Sequence, residues 1–222
     1  MNRAIHETPR MPKQALVFQG GWEGHHPAAI AARYESSLTS QGFEVAVVDS
    51  LDCLNDAGKL GGYDLIVPNW TMGQLSEDQE KNLCDAVRSG AGLAGIHGGM
   101  GDAFRSNLRY NYMVGGHFVS HPYIGPYVVR VDQSDHPLTQ GLSERFLYDS
   151  EQYYLQVDPG INVLLSTDYD VEGQTVEMPV AWSKRWGQGR VFYCALGHEP
   201  SEFEKHPAVW DFVINGCRWA SR

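Results

Sequence analysis

Short apolar runs alternate with amphipathic stretches along the first half of the chain, and this alternation predicts strands and helices in turn. Two amphipathic stretches, residues 27–41 and 76–89, predict helices, and Ser76 with Gln79 forms the Ser-x-x-Gln pattern of a capping box. The apolar runs that predict strands are residues 14–18, 43–49, 63–68 and 91–96. Strands that alternate with helices predict a parallel sheet with right-handed crossovers and helices on both faces.

The second half has a different pattern, because its apolar runs follow one another with little helical sequence between them. Residues 127–131, 160–165, 179–182 and 189–195 predict strands, and helical periodicity returns only at residues 207–220. Such short connections are typical of antiparallel pairing, so we expect additions to the sheet edge or a small side sheet. The pattern predicts one α/β domain over residues 14–222, preceded by a polar, flexible tail over residues 1–13.

Composition and charge narrow the class of partner. The chain has 222 residues, 42% hydrophobic, which is enough to bury the core of one large domain. Its net charge of -10, with no basic cluster denser than Lys184-Arg185, argues against nucleic acid and against a membrane surface. No apolar run approaches the roughly 18 residues of a membrane span. Four cysteines without CxxC spacing predict reduced thiols in a cytoplasmic protein.

His97 ends the apolar run 91–96 and is followed by Gly98 and Gly99. This pattern predicts a strand-turn-helix elbow, in which the side chain projects beyond the carboxyl end of a strand and small neighbours permit the sharp turn. Elbow positions usually carry a nucleophile, so an imidazole there indicates a changed chemistry. The alternative is a glycine-rich turn with an incidental histidine.

Polar and aromatic side chains follow several predicted strands. Because the carboxyl ends of parallel strands share one edge of a sheet, we expect these residues to form one pocket. The residues at strand ends are Trp22, Glu23, His25, His26, Asn69, Trp70, His97, Asp102, His198 and Glu199, and His117, His121, Glu151 and Tyr153 lie in segments between them.

Each of these residues also has a structural interpretation. His25 and His26 precede Pro27 and can cap a helix, and the glycines before His117 argue against a helix that would align it with His121. Glu151 can be a solvated charge, and the tryptophans and tyrosines can be core residues. Aromatic rings beside imidazoles and carboxylates suit a sugar, whose C–H faces pack on rings while its hydroxyls form hydrogen bonds.

A divalent metal, Zn²⁺ or Mn²⁺, is the one cofactor that these side chains suggest. The candidate ligands are His26, His97, His117 and His198. No tight ligand motif is present, however, so the alternative is that the imidazoles bind sugar hydroxyls directly.

Four sequence motifs carry a family resemblance. They are residues 17–25 (VFQGGWEGH), 92–99 (GLAGIHGG), 136–142 (HPLTQGL), and 179–182 (PVAW) with 189–193 (GRVFY) and 196–198 (LGH). In this order they resemble the trehalose-utilisation, or ThuA-like, family over nearly the whole chain beyond the tail. The resemblance implies the flavodoxin-like, three-layer α/β sandwich of class I glutamine amidotransferases, with a mainly parallel central sheet and antiparallel additions.

The resemblance also implies which chemistry is absent. His97 stands where the amidotransferases have their cysteine, and His198 stands where they have a late histidine, with Glu199 adjacent to it. An imidazole cannot form the thioester of glutamine hydrolysis, so the chain is not expected to be a glutaminase. The family implies sugar catabolism alongside oxidoreductases that make 3-keto derivatives of trehalose and related disaccharides.

A 3-keto group acidifies the neighbouring C2–H, so a base can form an enolate that expels the substituent at C1, and water can then add back. The expected activity is a hydrolase or lyase acting on 3-keto-disaccharides. The alternatives are an inactive amidotransferase-like module that binds a sugar or a partner protein, and a metal-dependent hydrolase of another small molecule. Either a monomer or a homo-oligomer fits the sequence. The catalytic hypotheses are His97, His198, Glu151, His117 and Asp102, and the substrate-binding hypotheses are Trp22, Glu23, His25, His26, Asn69, Trp70, His121 and Tyr153.

Overall fold

The computed structural model describes residues 12–222 and contains one mixed sheet of nine strands. The predicted tail over residues 1–13 lies outside the described residues except for its last two, and Lys13 already begins the first strand. The strands are β1 Lys13–Gly21, β2 Phe43–Val48, β3 Leu65–Thr71, β4 Gly92–Ile96, β5 Gly116–Val131, β6 Arg145–Val157, β7 Asn162–Val171, β8 Gln174–Trp186 and β9 Gly189–Cys194.

The sheet has a parallel half and an antiparallel half. Its order is β2-β1-β3-β4-β9-β8-β7-β5-β6. The first five strands in this order pair in parallel, and β8, β7, β5 and β6 pair antiparallel. The prediction of an α/β fold with antiparallel additions to the sheet edge is therefore confirmed.

The helices lie between the parallel strands and at the end of the chain. They are α1 Pro27–Ser40, α2 Ala57–Leu60, α3 Glu77–Arg88, α4 His97–Gly101, α5 Leu108–Val114, α6 Glu202–Lys205 and α7 Pro207–Ala220. The capping box predicted at Ser76 and Gln79 is present at the start of α3. Among the described residues, no helix has both the length and the apolar character to cross a bilayer.

The strand order places the helices on two faces of the sheet. The step from β1 to β2 runs towards one edge, and the steps from β2 to β3 and from β3 to β4 run towards the other. Because such crossovers are right-handed, α1 lies on one face while α2 and α3 lie on the opposite face. α7 packs against α1, with the rings of Tyr34 and Trp210 5.0 Å apart. The reversal between β1 and β3 opens a crevice at their carboxyl ends, where α/β proteins bind ligands.

The core lies between the parallel strands and the helices on both faces. β4 is buried along its whole length, as expected of a central strand covered on both sides. On one side, Phe192 of β9 packs on Phe212 of α7 with ring centroids 5.2 Å apart. On the other side, the indole N–H of Trp186 donates a hydrogen bond to the carbonyl of Cys84 in α3. All four cysteines are unpaired, as predicted.

The strands β5 to β8 all differ from the sequence expectation. β7 and β8 extend beyond the predicted runs 160–165 and 179–182, and β5 and β6 differ more. β6 is absent from the sequence prediction, because the polar run Asp149–Gln152 interrupts the alternation of apolar and polar residues that is typical of a strand. β5 begins at Gly116 rather than near residue 127, through a segment whose glycines and prolines signal turns. Register shifts between Phe118 and Ser120 and between Ser120 and Tyr123 accommodate this segment in the ladder with β6.

Candidate functional site

The predicted elbow is present at the end of β4. His97 follows Ile96 directly, begins α4 and adopts a left-handed backbone with φ of 42°. Such a conformation is costly for a residue with a Cβ and is often found at functional sites. Gly98 is required next to it, because a Cβ at position 98 would lie 2.3 Å from Cε1 of His25. The side chain of His97 does not project into solvent, however; it is only 2% exposed.

Three neighbours fix the His97 ring. Its Nδ1 lies 2.8 Å from the carbonyl oxygen of Ala195, so Nδ1 carries the hydrogen. Tyr153 stacks on the ring with centroids 4.1 Å apart. The hydroxyl of Tyr193 donates a hydrogen bond to the backbone carbonyl of His97. Nε2 therefore carries a lone pair in the neutral ring, and it has no hydrogen-bond partner among the described residues.

His25 brings a second imidazole to His97 from the turn after β1. Its Nδ1 hydrogen-bonds the hydroxyl of Thr71 at 2.8 Å, which leaves Nε2 free. Its ring centroid is 4.7 Å from that of His97 and 5.1 Å from that of His198. Burial and the neighbouring imidazoles of His97 and His198 lower the pKa of His25 to about 3. The ring is therefore neutral at physiological pH.

Glu151, on β6, faces three imidazoles. Its Oε2 lies 3.2 Å from Nε2 of His97 and 3.4 Å from Nδ1 of His198, and its Oε1 lies 3.5 Å from Nε2 of His121. Burial alone would raise the pKa of this carboxyl group, but the facing histidines outweigh burial and lower the pKa to about 2. The group is a buried carboxylate at neutral pH.

His198 lies in the loop after β9, which a second buried carboxylate holds in place. The backbone N–H groups of His198 and Glu199 donate to Glu202 at 3.2 and 3.3 Å. The hydroxyls of Tyr148 and Ser150, both on β6, donate to the same carboxylate at 2.7 and 2.8 Å. Glu202 thus ties the loop that carries His198 to the strand that carries Glu151.

We call His25, His97, Glu151 and His198 the histidine–glutamate cluster. One ligand-capable atom from each of the four residues lies within 4.8 Å of those of the other three. Nε2 of His97 and Nδ1 of His198 are buried, and residues 12–222 offer them no hydrogen-bond partner of standard geometry. Burial, and after it the neighbouring His97, lower the pKa of His198. The cluster therefore gathers, around one point, four side chains that can donate electron pairs.

A cavity of about 150 Å³ opens beside the cluster. Asp102 is buried in its wall and holds Arg105 by two hydrogen bonds of 2.5 and 2.8 Å, and the guanidinium lies 5.6 Å from the ring of Phe118. The lining residues are Trp22, His25, Met72, Asp102, Arg105, Phe118, His121, Glu151 and Tyr153. A larger cavity of about 360 Å³ lies between α1 and α7, but no histidine lines it.

The structure brings together eight of the residues proposed from sequence. Four form the cluster and four others line the cavity beside it. The former are His25, His97, Glu151 and His198, and the latter are Trp22, Asp102, His121 and Tyr153.

Four others proposed for substrate binding lie apart from the cavity. His26 is 45% exposed and pairs with Glu199 at 3.0 Å. Asn69 is buried and donates a hydrogen bond to the carbonyl of Pro27, so it braces the start of α1. Trp70 packs closely over Gly20 and Gly73. Glu23 is exposed in the short 3-10 helix Glu23–His25.

His117 does not join the cluster. It lies next to Phe118 on β5, and successive residues of a strand face opposite sides. Because Phe118 lines the cavity, His117 points away from it. The predicted metal set is therefore corrected: His97 and His198 do meet, but His25 and Glu151 complete the group in place of His26 and His117.

Sequence reasoning missed Arg105, Phe118 and Met72 in the cavity wall. Arg105 carried a usable signal, because it stands three residues after Asp102, a spacing at which opposite charges meet in a helical turn. Phe118 lies in a segment interpreted as a turn. Nothing in the pattern indicated Met72, which adopts a left-handed backbone with φ of 57°.

Comparisons with known proteins agree with the fold. The family model described as trehalose utilisation, ThuA, matches residues 14–220. A ThuA-like protein from Bacteroides uniformis is similar in structure, with a TM-score of 0.75 and 19% identity over 98% of this chain and 95% of that one. A ThuA-like protein from Parabacteroides merdae gives a TM-score of 0.74 and 20% identity over 94% of this chain and 90% of that one. A cytoplasmic protein from Salmonella typhimurium gives 0.67 and 15% over 94% and 100%. No curated protein matches the chain.

Proposed function

The chain belongs to the ThuA, or trehalose-utilisation, family, and on this premise we propose that it is an enzyme that cleaves the glycosidic bond of a 3-keto-disaccharide such as 3-keto-trehalose. The observation that carries the proposal is that two residues of the histidine–glutamate cluster, His25 and Glu151, line one cavity with Asp102, Arg105 and aromatic rings. Packing alone requires no such convergence of buried polar groups, which are costly unless they serve a purpose. The order of the parallel strands, β2-β1-β3-β4-β9, supports a flavodoxin-like core.

The proposed reaction proceeds by enolisation. A base removes the C2 proton, and the electrons of the C–H bond pass to the C3 oxygen to give an enolate. The enolate re-forms the ketone as the C1–O bond breaks, and the leaving sugar oxygen takes up a proton. Water then adds to C1 of the enone while C2 is reprotonated, so the net reaction is hydrolysis. The protein must supply a proton acceptor and stabilise the enolate.

We assign proton transfer to His121, and we assign to Glu151 the stabilisation of the protonated His121 ring. His121 lies at the edge of the cavity and is partly exposed. Because Oε1 of Glu151 is 3.5 Å from its Nε2, the carboxylate stabilises the ring once it has gained a proton. The opposite oxygen of Glu151 faces His97 and His198, so one carboxylate connects the base to the cluster. In this arrangement the C3 oxygen of the substrate lies against the cluster.

Substrate positioning is assigned to the other walls of the cavity. The rings of Trp22 and Phe118 present flat apolar faces to a sugar ring, and the guanidinium of Arg105 presents donors to its hydroxyls. At about 150 Å³ the cavity is smaller than the roughly 300 Å³ at which common ligand pockets begin. We therefore expect it to enclose the oxidised ring only and to leave the second sugar at its mouth.

The test is incubation of the purified protein with 3-keto-trehalose and with trehalose, followed by measurement of released reducing sugar. We expect release from the keto substrate only, and a loss of at least about 100-fold in Glu151→Gln. Glu177→Gln, which changes an exposed carboxylate on β8, is the matched control and keeps full activity. Binding of the keto sugar without release would favour the alternative function, a sugar-binding module without catalytic activity.

A further inference from the structure

We propose that the histidine–glutamate cluster is a binding site for a divalent transition metal such as Zn²⁺ or Mn²⁺. The proposed ligands are one ring nitrogen each of His25, His97 and His198 and the carboxylate of Glu151. Nitrogen and oxygen donors of this kind suit both ions. The proposal concerns the chemistry of these four side chains and does not depend on which sugar the protein cleaves.

The contact between His97 and Glu151 is the strongest argument. Nδ1 of His97 donates its hydrogen to the carbonyl of Ala195, so Nε2 of the neutral ring presents a lone pair. That nitrogen lies 3.2 Å from Oε2 of Glu151. The neutral ring and the carboxylate both present electron pairs to this contact, so a cation, either a proton on Nε2 or a metal ion, has to lie between the two atoms to make it favourable.

In two of the cluster histidines, the ring nitrogen that would not bind the metal lies beside an oxygen atom, as it does in known metal sites. Metal-bound imidazoles usually donate their other ring N–H to an oxygen atom, which fixes the tautomer and the ring orientation. His97 has this partner in the Ala195 carbonyl, and the Thr71 hydroxyl, 2.8 Å from Nδ1 of His25, can accept from His25 in the same way. When both rings donate in this way, Nε2 of each is left for the ion.

The spacing of the four donors fits a shared ion. Nitrogen and oxygen ligands lie about 2.0 to 2.2 Å from zinc, which places any two of them roughly 3 to 4.4 Å apart. Glu151 lies 3.2 and 3.4 Å from His97 and His198, and no pair in the cluster is more than 4.8 Å apart. Small side-chain shifts close the group around one metal.

The same four residues leave one side of the site accessible. Both His25 and Glu151 line the cavity, which contains Arg105 and Asp102 on another wall. A catalytic metal site keeps a coordination position for water or substrate, whereas a structural site is closed. The cavity therefore points to a site that takes a substrate oxygen, and a ketone oxygen that becomes an enolate is a suitable ligand.

The test measures metal binding directly, without sugar. Protein purified without a histidine tag and stripped with a chelator is titrated with ZnCl₂ and with MnCl₂ by calorimetry, and the metal content after dialysis is measured by elemental analysis. We expect one ion per chain for at least one metal. Substitution with Co²⁺ gives a visible absorption band whose intensity reports the coordination geometry.

Three variants complete the test. His97→Ala and the isosteric Glu151→Gln are expected to bind the metal at least about 100-fold more weakly than wild type. His26→Ala is the matched control, because His26 is the sequence neighbour of His25 but pairs with Glu199 at the surface, and it should bind as wild type does. Circular dichroism spectra establish that each variant is folded.

The outcomes separate this proposal from the proposed function. Less than about a tenth of an ion per chain in the wild type, or unchanged binding in folded His97→Ala and Glu151→Gln, overturns the metal site. If metal-free protein cleaves 3-keto-trehalose at full rate, the metal has no role in catalysis, although the proposed cleavage activity itself is supported. Tight binding that both variants lose supports the metal site even if no keto sugar is cleaved.

Discussion

Nδ1 of His97 lies 2.8 Å from the carbonyl oxygen of Ala195, the residue that follows β9. β4 and β9 are neighbours in the parallel sheet, so the pairing of two central strands sets the position of this ring. The same hydrogen bond selects the tautomer whose Nε2 faces Glu151. The orientation of the His97 imidazole therefore depends on the most buried part of the fold and not on a surface loop.

The left-handed backbone of His97 predicts a difference between two substitutions. Asparagine adopts this conformation more readily than alanine does. We expect His97→Asn to have a free energy of unfolding about 1 kcal/mol higher than His97→Ala, while both variants lose cleavage activity. Urea denaturation of the two proteins measures the difference. An alanine variant as stable as the asparagine variant would mean that the strain at this position is negligible.

Glu202 is expected to be a positioning residue, because it accepts four hydrogen bonds from the loop after β9 and from β6. Glu202→Ala leaves buried donors without a partner and should lower the free energy of unfolding by about 3 kcal/mol. Glu204→Ala, an exposed position on the same helix, should change it by less than about 0.5 kcal/mol. Thermal and urea unfolding of both variants provide the measurement. Equal effects at the two positions would contradict the assigned role.

Arg105 is expected to act on substrate affinity. Arg105→Lys keeps the charge but loses the planar fork that Asp102 holds, so fewer hydrogen bonds to sugar hydroxyls remain. We predict that KM for the keto sugar rises about 10-fold with kcat within about twofold of wild type. Steady-state kinetics separates the two constants. A large fall in kcat with unchanged KM would instead place Arg105 in the chemical step.

The low pKa of His25 predicts how stability varies with pH in metal-free protein. The folded state holds the pKa of this imidazole at about 3, whereas the unfolded chain protonates it near pH 6.5. Between these values the unfolded state binds more protons, so stability falls as the pH is lowered from 6.5 towards 3. The slope reaches about 1.4 kcal/mol per pH unit for one proton. The variant His25→Asn should lack this contribution. Urea denaturation of both proteins between these pH values measures how the free energy of unfolding varies with pH. Equal pH slopes in the wild type and the variant would mean that His25 is protonated in the folded state.

The parallel half of the fold and the elbow are predictable from sequence, because each depends on local signals. The capping box at Ser76 and the glycines that flank His97 are such signals, and the structure has both features. The partners of His97 are harder to predict. Glu151 reaches the cluster because β6 pairs with β5 in a register that places it opposite Ile124, and no local pattern encodes that pairing.

Sequence alone also does not show which of the two neighbours His25 and His26 belongs to the cluster. The sequence places both after β1, but only the turn geometry decides which ring points inward. The 3-10 helix Glu23–His25 directs His25 towards Thr71, and the left-handed backbone of His26, with φ of 48°, turns the next ring to the surface. The replacement of His26 by His25 in the predicted set therefore reflects backbone geometry that only the structure shows.

The central claim is that the cavity beside the histidine–glutamate cluster enolises and cleaves a 3-keto-disaccharide. The most direct measurement is the reaction of 3-keto-trehalose in D₂O, followed by NMR of the released keto sugar at early times, with an enzyme-free sample as reference. The proposed reaction predicts one deuterium at C2 of the released keto sugar, and no reaction of trehalose. Release of a keto sugar that still carries its original hydrogen at C2, or no release at all, would contradict the proposed reaction.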